Sequence, residues 1–146
     1  MIPRLEGAPT ASIPYLRALP SGRVLDNPGR MCWTGGSVRT GGKTAGAGAW
    51  FREEPQGVIP NISTCIGGEP VIIRGEMGAI ILALRVLPRD QPATIITDSL
   101  STLWIIKRWM RRDFGYCLDE EGHPDLVLEL VTLLHQRREA RTDMVW

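Results

Sequence analysis

Cysteine is scarce in this 146-residue chain: Cys32, Cys65 and Cys117 are three in number, and no CxxC or CxxxH arrangement exists. An odd, widely spaced set argues against a disulfide framework or a zinc site, and for buried or half-buried thiols in a reducing compartment. Long apolar runs are missing as well. The longest, Met77 to Leu84, stops at Arg85, far short of the roughly 20 residues of a bilayer span, so no membrane partner is expected. No continuous hydrophobic region follows the start, which argues against a secretory signal. Net charge is almost absent, since seventeen basic and sixteen acidic residues leave +1, and any nucleic-acid partner has to be argued from local clusters. What remains, 43% hydrophobic and 23% charged residues, is globular composition for one domain and excludes wholesale disorder. The expected location is intracellular, in nucleus or cytoplasm. Four arginines against two acids in the first thirty residues keep organellar import open, although five prolines there interrupt any amphipathic helix.

Those five prolines (Pro3, Pro9, Pro14, Pro20, Pro28) define residues 1–30 as an extended arm or linker, with little periodic apolar pattern between them. Residues 31–146 read as the folded domain. Met31–Thr34, Ala45–Phe51 and Gly57–Ile66 read as strands, and the glycine-rich turns between them favour an antiparallel meander. Met77, Ile80, Ile81 and Leu84 then repeat at the spacing of one helical face, with Pro70 near the entrance and Pro88 closing the helix after Leu87. Ala93–Thr97 is a β-branched run of the kind buried in a central strand. Ser99 or Asp98 caps a helix from about Leu100 to Arg111. A polar loop, Asp113–Pro124, leads to a helix with Leu126, Val127, Leu130, Leu133 and Leu134 on one face, and Met144-Val145-Trp146 opens a last strand. The expected class is mixed α/β: three antiparallel strands followed by α-β-α-α-β, the sheet packed by helices.

Three segments carry the chemistry. They are Thr34-Gly35-Gly36-Ser37 with the small-residue run Ala45–Trp50, Arg74-Gly75-Glu76-Met77 through Leu84, and Ile96-Thr97-Asp98-Ser99. In this order and spacing, from about Met31 to Trp146, the chain resembles the ribonuclease H family. That family has T-D-G-S on a first strand, a glutamate on the first helix, then T-D-S. The resemblance implies a type 1-like domain of retroelement origin, and endonuclease chemistry on the RNA strand of an RNA/DNA hybrid. Carboxylates would gather around two magnesium or manganese ions, which prefer oxygen ligands and supply the water activation and leaving-group stabilisation that phosphodiester hydrolysis needs.

The sequence departs from that pattern twice. Gly35 stands where the first aspartate belongs, and the chain ends before the histidine loop and last helix that supply a further carboxylate in the family. Of the family's catalytic and metal-holding set only Glu76 and Asp98 are present. Two acids leave most of an octahedral shell to water, so a two-ion centre is not expected to assemble or to hold a cation stably. The expectation is a pseudoenzyme that does not cut on its own. His123 and His135 do not match the family's histidine and read as surface residues.

Nucleic-acid contacts are expected from two places. Lys107, Arg108, Arg111 and Arg112 surround Trp109 at a helix end, where the family has a basic substrate handle, and phosphate attraction plus stacking would give sequence-independent affinity. Backbone amides at Gly36 and Ser37 would meet ribose hydroxyls in the hybrid's minor groove. The expected partner is an RNA/DNA hybrid or a structured RNA. Arg137, Arg138 and Arg141 read as solvated helix surface. Gly41-Gly42-Lys43-Thr44 lacks the spacing of a phosphate-binding loop and leads into a strand, which excludes a nucleotide site. An alternative is a structural subunit of a ribonucleoprotein assembly, docked through the N-terminal arm and an incomplete carboxyl-terminal sheet edge.

Overall fold

The computed structural model describes residues 13, 15–19, 27–39, 41–55, 57–111 and 122–146. Within them the chain runs β1 (Leu16–Leu19), β2 (Arg30–Val38), β3 (Ala45–Phe51), β4 (Ile62–Ile66), α1 (Ile72–Val86), β5 (Ala93–Thr97), α2 (Leu100–Arg111), α3 (Pro124–Gln136) and β6 (Thr142–Val145). The strands form one six-stranded sheet in the order β1-β6-β5-β2-β3-β4. β2, β3 and β4 make the expected antiparallel meander, while β1, β6, β5 and β2 run parallel to one another. The class is mixed α/β, as the alternation of periods implied. Residues 112–121, with Arg112, Cys117 and most of the expected polar loop, lie outside the described residues.

Local chemistry explains the helices that position the site. Met77, Ile80, Ile81 and Leu84 of α1 are all buried, each worth about 1.5–3 kcal/mol as it leaves water. The helix stops at Val86 because Leu87, extended at ψ 133°, precedes Pro88. Its small residues let it lie close to the sheet: a Cβ added to Gly75 would stand 2.6 Å from the Gly46 carbonyl oxygen. The alternating alanines of β3 meet that approach, with Ala47 packed against Ala79 and Leu82. At the β2–β3 connection Gly42 N–H donates to the Arg39 carbonyl at 2.8 Å. Gly41 takes φ 74° there, a left-handed conformation that glycine adopts without strain. The loop is a hairpin turn.

Because side chains alternate across a strand, the sheet has two distinct faces. One face buries Leu16, Ala18, Cys32, Ala49, Ile95 and Met144 in a single core with Leu103, Ile106, Trp109, Leu130 and Leu134 of the helices. The other face carries Trp33, Gly35, Gly48, Trp50 and Cys65, and both tryptophans are exposed.

Three expectations need correction. Part of the supposed arm is a strand: β1 pairs in parallel with β6 from Leu16↔Thr142 to Leu19↔Val145, and Ile13, Leu16 and Ala18 enter the core. That strand takes the outer side of β6, so the sheet edge expected to lie open for a partner is filled from within the chain. Arg137 is not solvated surface. It is 2% exposed, and its guanidinium donates to Thr142 Oγ1 at 2.7 Å and to the carbonyls of Pro88 and Gln91 at 2.9 and 2.6 Å. Finally, the strand expected over Gly57–Ile66 is limited to Ile62–Ile66, with Gly57 in an isolated bridge to Glu54.

Candidate functional site

Backbone register brings the three chemistry-bearing segments to one region. β2 and β5 are parallel with Thr34 opposite Thr97, so Gly35 and Asp98 are the next residues on neighbouring strands. On the helical side of β2, Gly36 lies against the first turns of α1. A Cβ on Gly36 would stand 2.3 Å from the Glu76 nitrogen and 2.4 Å from the Gly75 carbonyl carbon, contacts no other residue could make. Gly35, Glu76 and Asp98 are thus held by a strand, a helix and a strand end that the packing fixes relative to one another.

The cap of α2 separates structural from chemical roles here. Ser99 Oγ accepts from the Thr102 N–H at 3.2 Å and lies 2.6 Å from the Thr102 hydroxyl, while the Ser99 N–H donates to Thr97 Oγ1 at 3.0 Å. Ser99 is therefore the N-cap, worth about 1 kcal/mol by comparison with other capped helices. Asp98 is left exposed beside it, and Glu76 is half-buried on α1.

The described residues at this site do not fit a two-ion centre. Among the described residues no group of three or more His, Cys, Asp or Glu side chains could hold a metal ion. Position 35 has no carboxylate, and beside it runs an open groove of about 530 Å³ lined by residues that include Gly35, Ser37, Gly48, Trp50, Ser63 and Cys65, none of them charged. Hard divalent cations require an oxygen shell that such a lining does not supply.

The helix α2 presents a different face from the expected one. Trp109 is fully buried at 0% exposure, because Leu103, Ile106 and Trp109 recur on the core side of the helix. It cannot stack on a nucleic acid, which corrects its assignment. The exposed tryptophan is Trp104, 43% accessible, with Lys107 Nζ 5.2 Å from its ring centroid in cation–π range. Arg108 is exposed one residue further on, and Arg111 ends the helix. Spacing of three and four residues puts Trp104, Lys107 and Arg108 along one helical stripe. The sequence signal for Trp104 was this periodicity, and the density of charge around Trp109 obscured it.

Ser37 is exposed at the groove, while Gly36 is committed to the close approach of α1. His123 precedes α3, its Nδ1 3.4 Å from Arg74 Nη1, and Arg74 also holds Asp125 at 2.6 and 3.0 Å. These contacts tie the starts of α1 and α3 together, a structural role. Among the described residues no helix is long and apolar enough to cross a membrane. No protein family's model matches the chain, and no curated protein matches it.

Proposed function

We propose that this chain is a ribonuclease H-like domain that binds nucleic acid, an RNA/DNA hybrid or structured RNA, without cleaving it. One observation carries the reading. Thr34 pairs with Thr97 while Gly36 abuts the Glu76 backbone, so the three motif segments that resemble the family meet at residue 35. Glu76 and Asp98 stand in the family's carboxylate positions, and Gly35 removes the one between them. Without that group the two remaining acids lack the ligands for paired magnesium or manganese ions, so no cleavage step is assigned to them. Affinity would come from the α2 stripe, where Lys107 and Arg108 attract phosphate and Trp104 offers a ring for stacking.

The test is fluorescence anisotropy with labelled hybrid, duplex DNA and single strands at low salt, beside a cleavage assay containing manganese. Binding that weakens linearly with the logarithm of salt, without cleavage, supports the reading. No binding to any of the three, or prompt cleavage of the hybrid, overturns it.

A second reading has its own observation. Trp33 and Trp50 are exposed on the sheet face opposite the core, which favours a structural subunit of a larger assembly that covers them. Light scattering distinguishes the two: a stable monomer at high concentration removes the second reading.

A further inference from the structure

Residue 35 lies open on one side and occupied on another. Gly35 pairs directly with Gly48 across β2 and β3, and Trp50, two residues beyond Gly48, projects from the same face. Its Cζ3 and Cη2 atoms lie 3.5 and 3.8 Å from where a Cβ on residue 35 would be. The same ring stands closer still to residue 48, with Cη2, Cζ2 and Cζ3 at 2.9, 3.2 and 3.5 Å from a Cβ placed there. The six-membered ring of the indole therefore lies over two glycines whose bare backbones leave it room.

We propose that Trp50 is the residue that shuts this centre to divalent cations, so that Gly35 and Trp50 act as a matched pair rather than as one lost ligand. The proposal rests on the reading of Gly35, Glu76 and Asp98 given above. A hard cation keeps bound water and oxygen ligands at about 2.0–2.1 Å and dehydrates reluctantly. Here its neighbours on the groove side would be an indole, two glycine backbones and the neutral Ser63 and Cys65. The ring occupies the groove-side space next to residue 35. The Cβ of a residue restored at position 35 would stand in ordinary van der Waals contact with that ring.

The consequence is an interaction between two substitutions. Gly35→Asp alone leaves the ring in place, and Trp50→Val alone leaves the ligand set short. Together they give an aspartate with room for a hydrated ion beside Glu76 and Asp98. Manganese binding, read by the loss of the free-ion electron paramagnetic resonance signal, compares the unchanged protein, both single variants and the double variant. Circular dichroism verifies folding, and Gly35→Asp with Trp50→Thr serves as a second double variant, since threonine also suits a strand. The expected result is manganese affinity at least about tenfold higher in the double variants than in either single one, a gain of about 1.4 kcal/mol. If Gly35→Asp alone binds as tightly as the doubles, the role of Trp50 is overturned and the carboxylate centre stands. If no variant binds more tightly than the unchanged protein, the centre itself is misassigned, and the role of Trp50 falls with it.

Discussion

Arg17 Nε donates to Asp143 Oδ1 at 2.6 Å and Arg17 Nη2 donates to Oδ2 at 3.0 Å, joining β1 to β6 by a two-pronged ion pair. Asp143 has no exposed side-chain surface, and Arg141 Nε lies 3.0 Å from its second oxygen. A carboxylate so buried needs its partners, because an uncompensated charge in the interior is costly. Arg17→Ala removes one partner and leaves Arg141. The expected loss is about 1.5–3 kcal/mol, the range for a hydrogen bond to a charged group. Urea unfolding checks it, and an unchanged midpoint would mean that β1 is held by its pairing with β6 and by Leu16 and Ala18 without help from the ion pair.

This pair also marks what could not be read from the sequence. Leu16–Leu19 is four residues between Pro14 and Pro20, too short to show a period. It becomes a strand because residues more than a hundred positions away offer a parallel edge and a buried carboxylate. α1, by contrast, was legible to its last turn, since its apolar stripe and Pro88 are local signals. The motif segments were legible as types and spacings, whereas the contact of Gly36 with Glu76 is tertiary. Trp109 shows the remaining failure. Four nearby cations pointed to the surface, and the recurrence Leu103, Ile106, Trp109 pointed to the core. Packing decided between them.

The Gly36 contact can be tested directly. A Cβ there meets backbone atoms of Gly75 and Glu76 at 2.4 Å or less, and neither can swing aside as a side chain would. Gly36→Ala should therefore push α1 from β2 and cost at least the 1–3 kcal/mol usual for overpacking, about 3 kcal/mol or more here. The comparison is Gly67→Ala, where an added Cβ meets nothing within 4 Å. Thermal unfolding of the two variants should differ sharply.

Thiol reactivity should separate the cysteines. Cys32 is in the core, where burial pushes its thiol up to about 12, with Arg137 opposing weakly. Cys65 is exposed on β4. The thiolate is the nucleophile, so a thiol that ionises only near that value is inert at neutral pH. In a Cys117→Ser background, an aromatic disulfide reagent near neutral pH should modify Cys65 promptly and Cys32 only after denaturant is added. Rapid modification of both would show that the core opens readily.

A pH dependence follows from Arg74 and Asp125. Hydrogen bonds from the guanidinium hold the Asp125 carboxyl below its ordinary value of 3.8, partial burial opposes them, and the opposite charges add to the lowering. A carboxyl lowered in the folded state stabilises the fold above its unfolded value, and that contribution fades as pH falls through the folded one. The unchanged protein should lose stability on acidification from about pH 5 to pH 2 more steeply than Asp125→Asn does. The difference is small because Asp125 is 61% exposed and solvent screens the pair. Urea midpoints across that range measure it. Parallel curves would mean that the pair contributes nothing to folding.

The two tryptophans of α2 give the most direct test of the proposed nucleic-acid contact. Trp104 is exposed beside Lys107, and Trp109 is enclosed by the core. Trp104→Ala should leave the unfolding midpoint nearly unchanged and weaken binding to single-stranded RNA by about 1–3 kcal/mol, the worth of one base stacked on an aromatic ring. Trp109→Ala should do the reverse, costing about 3–5 kcal/mol of stability through the cavity it leaves. Lys107→Gln adds a second readout, because losing one phosphate contact lowers the slope of log affinity against log salt by about 0.9 for a duplex. If Trp104→Ala binds as well as the unchanged protein while Lys107→Gln alters the slope, the helix meets nucleic acid through charge alone. If neither variant changes binding, the contact surface lies elsewhere on the domain.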